Sequence, residues 1–282
     1  MILYKTALPL QQNLAFQKQN GKIIGFIPTM GALHNGHLSL IEKSKLQCDI
    51  TMCSIFVNPT QFNDKTDFEK YPVTIEKDIQ LLEKSGADIL FYPVLEEIYP
   101  HGLQTYEQYA LGNLENILEG YYRPGHFKGV CQVVHRLLNI IMPDKIFMGQ
   151  KDFQQCMVIK KLIEQFNIKT KLEIEPTLRE TDGLAMSSRN QRLNEDARKK
   201  ATAIFKALSF VKENIATTNF TSLTQQAADY ILSNGFTKVD YVAICNADNL
   251  ETVNTYNKDL PLVVLAAAFI NNVRLIDNLI IQ

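Results

Sequence analysis

The sequence predicts an α/β fold: a parallel sheet with crossover helices over residues 1–176, then a smaller α+β C-terminal lid domain over 177–282. Five apolar runs have the length of strands: Ile23–Ile27, Ile50–Val57, Asp88–Tyr92, Lys145–Met148 and Lys171–Glu175. Helix-patterned stretches separate them, and such alternation implies parallel strands joined by right-handed crossovers. The pattern changes after Pro176, where helices come first and strands follow together.

The first strand run breaks at Pro28-Thr29-Met30-Gly31, passes His34-Asn35-Gly36-His37, and gives way to the helix pattern Leu38, Leu40, Ile41. A helix is expected over Thr74–Ser85, with Ile75, Ile79 and Leu82 on one face and Gly86 as its stop. Val130, Val133, Val134, Leu137, Leu138 and Ile141 stripe a second helix over Gly129–Met142, closed by Pro143, and a third runs from Asp152 to Phe166. The less regular segment Tyr99–Gly125 is expected to loop over the site. Beyond Pro176, Asn194 is an N-cap with Glu195 and Asp196 in the first turn. Ala197, Ala201, Ile204, Leu208 and Val211 then mark one helix, and another is expected near Ser222–Ser233. Strands close the chain near Lys238–Cys245, Leu262–Ile270 and Val273–Ile276.

Bulk properties exclude several classes. The chain has 282 residues, 46% hydrophobic and 21% charged, as in ordinary globular proteins. A formal net charge of −1 gives no reason to expect nucleic acid or an acidic membrane as partner. No apolar run approaches the roughly 20 residues needed to span a bilayer, and Met1-Ile-Leu-Tyr-Lys5 is not a secretory pattern. Cys48, Cys53, Cys131, Cys156 and Cys245 are odd in number, form no CxxC pair and lie in or beside apolar runs. They read as reduced core residues of a cytoplasmic protein, not as a zinc site.

Two imidazoles, His34 and His37, fall where a strand hands over to a helix, the place in an open sheet where backbone N–H groups meet anions. Gly36 removes a side chain that would hold a phosphate off the backbone. Read without that context, HxGH is a pair of polar loop histidines. There is no GxGxxG, and Gly120-Tyr-Tyr-Arg-Pro-Gly125 lacks the Lys-Ser/Thr of a P-loop, so a nucleotide needs another apparatus. Gly149-Gln150-Lys151-Asp152 repeats the strand-end arrangement and projects a fixed positive charge. Met186-Ser187-Ser188-Arg189 offers two hydroxyls and a guanidinium suited to phosphate oxygens, although Ser-Ser-Arg alone is a common solvated turn. Gln61 and Gln155 can each donate and accept, which suits a substrate with hydroxyl and carboxylate groups.

PTMGALHNGH resembles the signature of the pantoate–β-alanine ligase (pantothenate synthetase) family, within the HIGH-type nucleotidyltransferases. SIFVNPTQF (54–62), RPGHFKGV (123–130), GQKDFQQ (149–155), DGLAMSSRN (182–190) and RLIDN (274–278) match the same family in the same order. The resemblance implies a Rossmann-like domain with a smaller second domain, and condensation of pantoate with β-alanine driven by ATP and Mg2+ through a pantoyl adenylate. It implies ATP binding by Met30, Gly31, His34, Gly36, His37, Gly149, Gln150, Lys151, Asp152, Leu178 (through its backbone), Met186, Ser187, Ser188 and Arg189. His37 is the implied proton donor, with His34 and Lys151 beside it in catalysis. Gln61 and Gln155 are implied for pantoate, and Gln61 also for β-alanine. Asp78 is implied as a magnesium-associated carboxylate, a role that stands against a solvated helix residue.

A homodimer is expected from the same resemblance. Gln150 departs from the acidic residue usual in the family. Glu119, Arg123 and His126 suit either the site or a structural loop, and His101 and His135 have no motif support, His135 falling in a helical stripe. A tRNA-charging relative would carry a basic surface or an added domain, and neither is visible. A non-catalytic nucleotide sensor would have no use for Lys151 and His37 alongside two substrate glutamines.

Overall fold

The computed structural model describes residues 1–62, 68–69, 71–104 and 107–281. Its elements in chain order are β1 (Ile2–Tyr4), α1 (Ala7–Gln19), β2 (Ile24–Thr29), α2 (Asn35–Gln47), β3 (Ile50–Ile55), α3 (Ile75–Ser85), β4 (Ile89–Phe91), α4 (Leu95–Ile98), α5 (Leu118–Tyr122) and α6 (His126–Ile141). They continue with β5 (Lys145–Gly149), α7 (Phe153–Gln165), β6 (Lys171–Glu175), α8 (Glu195–Lys200), α9 (Ala203–Asn214), α10 (Phe220–Ser233), β7 (Lys238–Asn246), β8 (Leu262–Ile270) and β9 (Val273–Ile280).

Contacts divide the chain into two compact units: residues 1–149 with 158–175, and residues 150–157 with 176–282. The GQKD turn after Gly149 and the start of α7 therefore group with the C-terminal residues.

The first unit is a six-stranded sheet in the order β1-β4-β3-β2-β5-β6, with every pair parallel. The order reverses at β2, which lies between β3 and β5, so the loop leaving β2 sits at a switch point where open sheets bind ligands. Fully buried Phe26, Ile27, Met52, Leu90 and Phe147 fill the strands, as expected of a sheet covered on both faces. Strand β2 runs on through Pro28 and Thr29, past the break that the sequence suggests. Gly86 ends α3 in the left-handed conformation at φ 75°, as a C-terminal stop should. The expected looped segment 99–125 contains the short helix α5, and its residues 105–106 lie outside the described residues.

The second unit packs α9 and α10 on the antiparallel sheet β7-β8-β9. Its core joins Ile204, Leu208 and Val211 of α9 to Leu223 and Ile231 of α10 and Val264 of β8. Asn194 caps α8 by accepting the Ala197 N–H at 2.8 Å. The single helix expected from Ala197 onward is two, because α8 ends at Lys200 and α9 begins at Ala203. Ala197, Ala201, Ile204 and Leu208 stay buried across the break, which is why the periodicity does not reveal it.

Candidate active site

In the first unit the site is built on the turn leaving β2. Gly31 and Ala32 take positive φ values of 83° and 50° in succession. A Cβ on Gly31 would lie 3.1 Å from Asp78 Oδ2 and 3.2 Å from Ile55, so the position combines a left-handed backbone with a close approach. Thr29 Oγ1 donates to Ser54 O at 2.7 Å and accepts the Gly31 N–H at 3.2 Å. Asp78 accepts the N–H groups of Ala32 at 2.9 Å and Leu33 at 2.8 Å, and the Thr74 hydroxyl at 3.1 Å. These bonds hold a strained turn in one shape.

That shape delivers the imidazole pair. His34 is the N-cap of α2, with its Nδ1 accepting the Gly36 N–H at 3.1 Å. The His37 Nδ1 accepts the His34 N–H at 3.3 Å, closing a reciprocal capping box. An Nδ1 that accepts places the ring proton on Nε2, so each neutral ring donates from that atom. The ring centroids are 4.1 Å apart and tilted by 37°. The N–H groups of His37 and Leu38 both bond to His34 O, at 2.8 and 3.2 Å. His34 takes up the N–H groups of Gly36, His37 and Leu38.

Gln61 ends a 3-10 turn, Pro59–Gln61, pressed against α6. A Cβ on Gly129 would lie 2.2 Å from Thr60 O, so only glycine admits this approach. Asn58 Nδ2 donates to Gly129 O at 3.0 Å and to Gln61 Oε1 at 3.2 Å, while Tyr99 Oη donates to Asn58 Oδ1 at 2.7 Å. Gln61 Nε2 points at Met30 Sδ, 2.7 Å away, so Met30 and Gln61 share one place. The Nδ1 of His126 bonds Gln61 O at 2.8 Å. His126 thus positions the glutamine, and Arg123 pairs with the buried Glu119 at 3.8 Å. Sequence reading missed Asn58, Tyr99 and Thr29, each of which has a partner distant in the chain. A cavity of 460 Å3 borders Met30, Gly31 and Asp78, but Ile55, Phe56 and Tyr92 make its walls apolar.

Asp78 does not fit the magnesium role. It is 1% exposed, and both of its carboxylate oxygens are occupied by the turn they brace. Among the described residues no group of three or more His, Cys, Asp or Glu side chains is placed to hold a metal.

In the second unit, Gln150, Lys151 and Asp152 form a 3-10 turn, so Asp152 precedes α7 instead of opening it. Lys151 Nζ lies 3.8 Å from Asp152 Oδ1, and its side chain is mostly buried. Gln150 Nε2 donates to Asn278 Oδ1 at 3.0 Å, a bond that a carboxylate at this position could not make. Gln155 sits half-buried in the first turn of α7. The Met186 N–H donates to Leu178 O at 3.1 Å, which brings together the two ends of the 178–186 loop. Ser187 caps the turn Ser188–Arg192 by accepting the Arg189 N–H at 3.3 Å.

Each unit thus gathers its own share of the residues singled out in the sequence: Met30, Gly31, His34, Gly36, His37, Gln61, Asp78, Glu119, Arg123, His126 and Gly149 in the first, and Gln150, Lys151, Asp152, Gln155, Leu178, Met186, Ser187, Ser188 and Arg189 in the second. A parallel sheet with an HxGH capping pair in the loop at its switch point defines a ligand-binding open α/β protein. A profile described as Pantoate-beta-alanine ligase matches residues 3–280. The chain belongs to the pantoate–β-alanine ligase family. It is 43% identical to a pantothenate synthetase of Carboxydothermus hydrogenoformans, over 97% of this chain and 96% of that one. It is likewise 43% identical to one of Cytophaga hutchinsonii, over 100% and 99%. The solved pantothenate synthetase of Thermus thermophilus superposes with a TM-score of 0.92 at 34% identity, covering 100% of both chains. The ligase of Francisella tularensis, solved with beta-gamma ATP and beta-alanine, gives 0.80 at 37% identity, covering 99% of this chain and 97% of that one.

Proposed function

We propose that this chain condenses pantoate with β-alanine to form pantothenate, converting ATP to AMP and diphosphate. The observation that carries the reading is the match of residues 3–280 to that family. The chemistry runs in two steps. A carboxylate oxygen of pantoate bonds to the α-phosphorus of ATP, and the bond to diphosphate breaks. The amine of β-alanine then bonds to the acyl carbon of the adenylate, loses a proton, and AMP leaves. A free carboxylate is a poor acyl donor, and this activation supplies the leaving group.

Charge grows on the phosphate oxygens during the first step, and donors fixed in advance stabilise it most. His34 and His37 meet that requirement, because their capping bonds fix both the ring planes and the Nε2 protons. Lys151 adds a positive charge, and Ser187, Ser188 and Arg189 add further phosphate donors. Met30, Gly31, Gly36, Gly149, Gln150, Asp152, Met186 and the Leu178 backbone complete the proposed ATP contacts. Gln61 and Gln155 orient pantoate with neutral hydrogen bonds, which leave the carboxylate its nucleophilicity, and Gln61 also meets β-alanine. Magnesium belongs to this reading as an ion brought by the nucleotide's own phosphates, the usual way Mg2+ enters such sites. A homodimer in the cytoplasm completes it, supported by the resemblance and by five cysteines that form no disulfide. No described helix is long and apolar enough to cross a membrane.

The test is exchange of labelled diphosphate into ATP. Exchange should require pantoate and proceed without β-alanine, because a bound adenylate can be attacked by diphosphate in reverse. Exchange without pantoate, or none until β-alanine is added, would sink the two-step reading.

A further inference from the structure

The motif Arg274-Leu-Ile-Asp-Asn278 has no role in the function proposed above, yet its last two residues are buried polar groups within β9. We propose that Asn278 is a positioning residue that sets the Lys151 turn, braced by the neighbouring pair of Asp277 and Arg179. This rests on the reading of Lys151 as a group that meets the ATP phosphates.

Asn278 is 1% exposed. Its Nδ2 donates to Gln150 O at 2.9 Å and to Lys151 O at 2.9 Å, and its Oδ1 accepts from Gln150 Nε2 at 3.0 Å. Two carbonyl oxygens on one side fix which amide atom is nitrogen. Both amide hydrogens and the oxygen are thus engaged by one three-residue turn. A short 3-10 turn leaves its carbonyls poorly satisfied from within. The bonds from Asn278 close that deficit at the residue whose side chain carries the charge.

The strand is held in turn. Asp277 is 5% exposed and takes Arg179 in a bidentate pair at 2.6 and 3.0 Å. Arg179 also donates to Asn278 O at 3.2 Å and Gly183 O at 3.0 Å, and its guanidinium stacks 4.1 Å from the Phe205 ring centroid. Bidentate pairing plus stacking removes the freedom of the arginine. The end of β9 therefore grips two loops of its own unit: the turn bearing Lys151 and the loop leading to Met186 and Ser187.

The experiment is single-turnover adenylate formation from ATP and pantoate, without β-alanine, for N278A, N278D, K151A and the double variant K151A/N278A. The rate constant reports the folded site, while the amplitude reports how much protein is folded, so a merely structural defect lowers the second and spares the first. N278D keeps the side-chain shape but loses both donors and turns an oxygen toward two carbonyls. Misplacing a charge by an ångström costs about a hundredfold, so both single variants should slow the rate constant by about tenfold to a hundredfold. Acting through Lys151, Asn278 should cost little more once Lys151 is gone, and K151A/N278A should match K151A. A full additional loss in the double variant overturns the proposal, as do wild-type rate constants in N278A and N278D. A wild-type rate in K151A removes the Lys151 reading itself, and the proposal with it.

Discussion

Asp78 Oδ2 accepts the N–H of Ala32 at 2.9 Å, and Ala32 carries a φ of 50° two residues ahead of His34. A helix 46 positions away thus fixes the turn that aims the imidazoles. D78N keeps the volume but turns an amide NH2 toward a backbone donor. Leaving such a buried donor unsatisfied costs about 1–3 kcal/mol. Stability to urea should fall by that much and adenylate formation should slow, while the magnesium concentration giving half-maximal rate stays unchanged at saturating ATP. A several-fold rise in that concentration would return Asp78 to the metal.

The tautomer of His37 is open to test by substitution. Asn places its side-chain oxygen near the former Nδ1, where it can accept the His34 N–H, and Gln reaches the former Nε2 with a donor. H37A should lose about 100- to 1000-fold in adenylation, the usual cost of one well-placed oxyanion donor. H37Q should recover part of that loss, and H37N should recover none while keeping the helix cap. A faster H37N than H37Q would put the working nitrogen at Nδ1 and undo the capping assignment.

The parallel sheet was legible because β2, β3 and β5 are continuous apolar runs. The strand β1 was not, being three residues long and largely exposed. Helix α1 escaped because it buries only Leu10 and Leu14 and has no apolar stripe. HNGH could be read locally, since its capping bonds join residues two or three apart. The supports could not. Tyr99 reaches Asn58 across 41 positions and Asn278 reaches Lys151 across 127, separations that no motif spacing records.

Gln61 and Gln155 should govern pantoate rather than ATP. Q61A and Q155A each remove neutral hydrogen bonds worth about 0.5–1.5 kcal/mol. Calorimetry should show weaker pantoate binding and an unchanged ATP affinity. N58A should follow Q61A, because Asn58 holds the Gln61 amide by its oxygen. Equal weakening toward both ligands would mean that these amides shape the site without reading the acid.

His135 should act on stability and leave catalysis alone. It is 8% exposed, its ring lies 4.1 Å from that of Phe166, and Tyr109 meets it edge-on at 6.0 Å. Burial lowers its pKa below 6.5, Glu107 opposes that shift, and Arg136 adds to it. Well above pH 6.5 the ring is neutral in both folded and unfolded chains, so it contributes no pH dependence there. As the pH falls below 6.5 the unfolded chain takes up a proton that the folded chain resists, and stability drops until the lowered folded pKa is reached. Urea midpoints measured near pH 7.5 and near pH 5.5 should therefore differ more for the unsubstituted protein than for H135Q, whose side chain cannot titrate. Equal differences in the two proteins would show that His135 takes up its proton as readily in the fold as out of it.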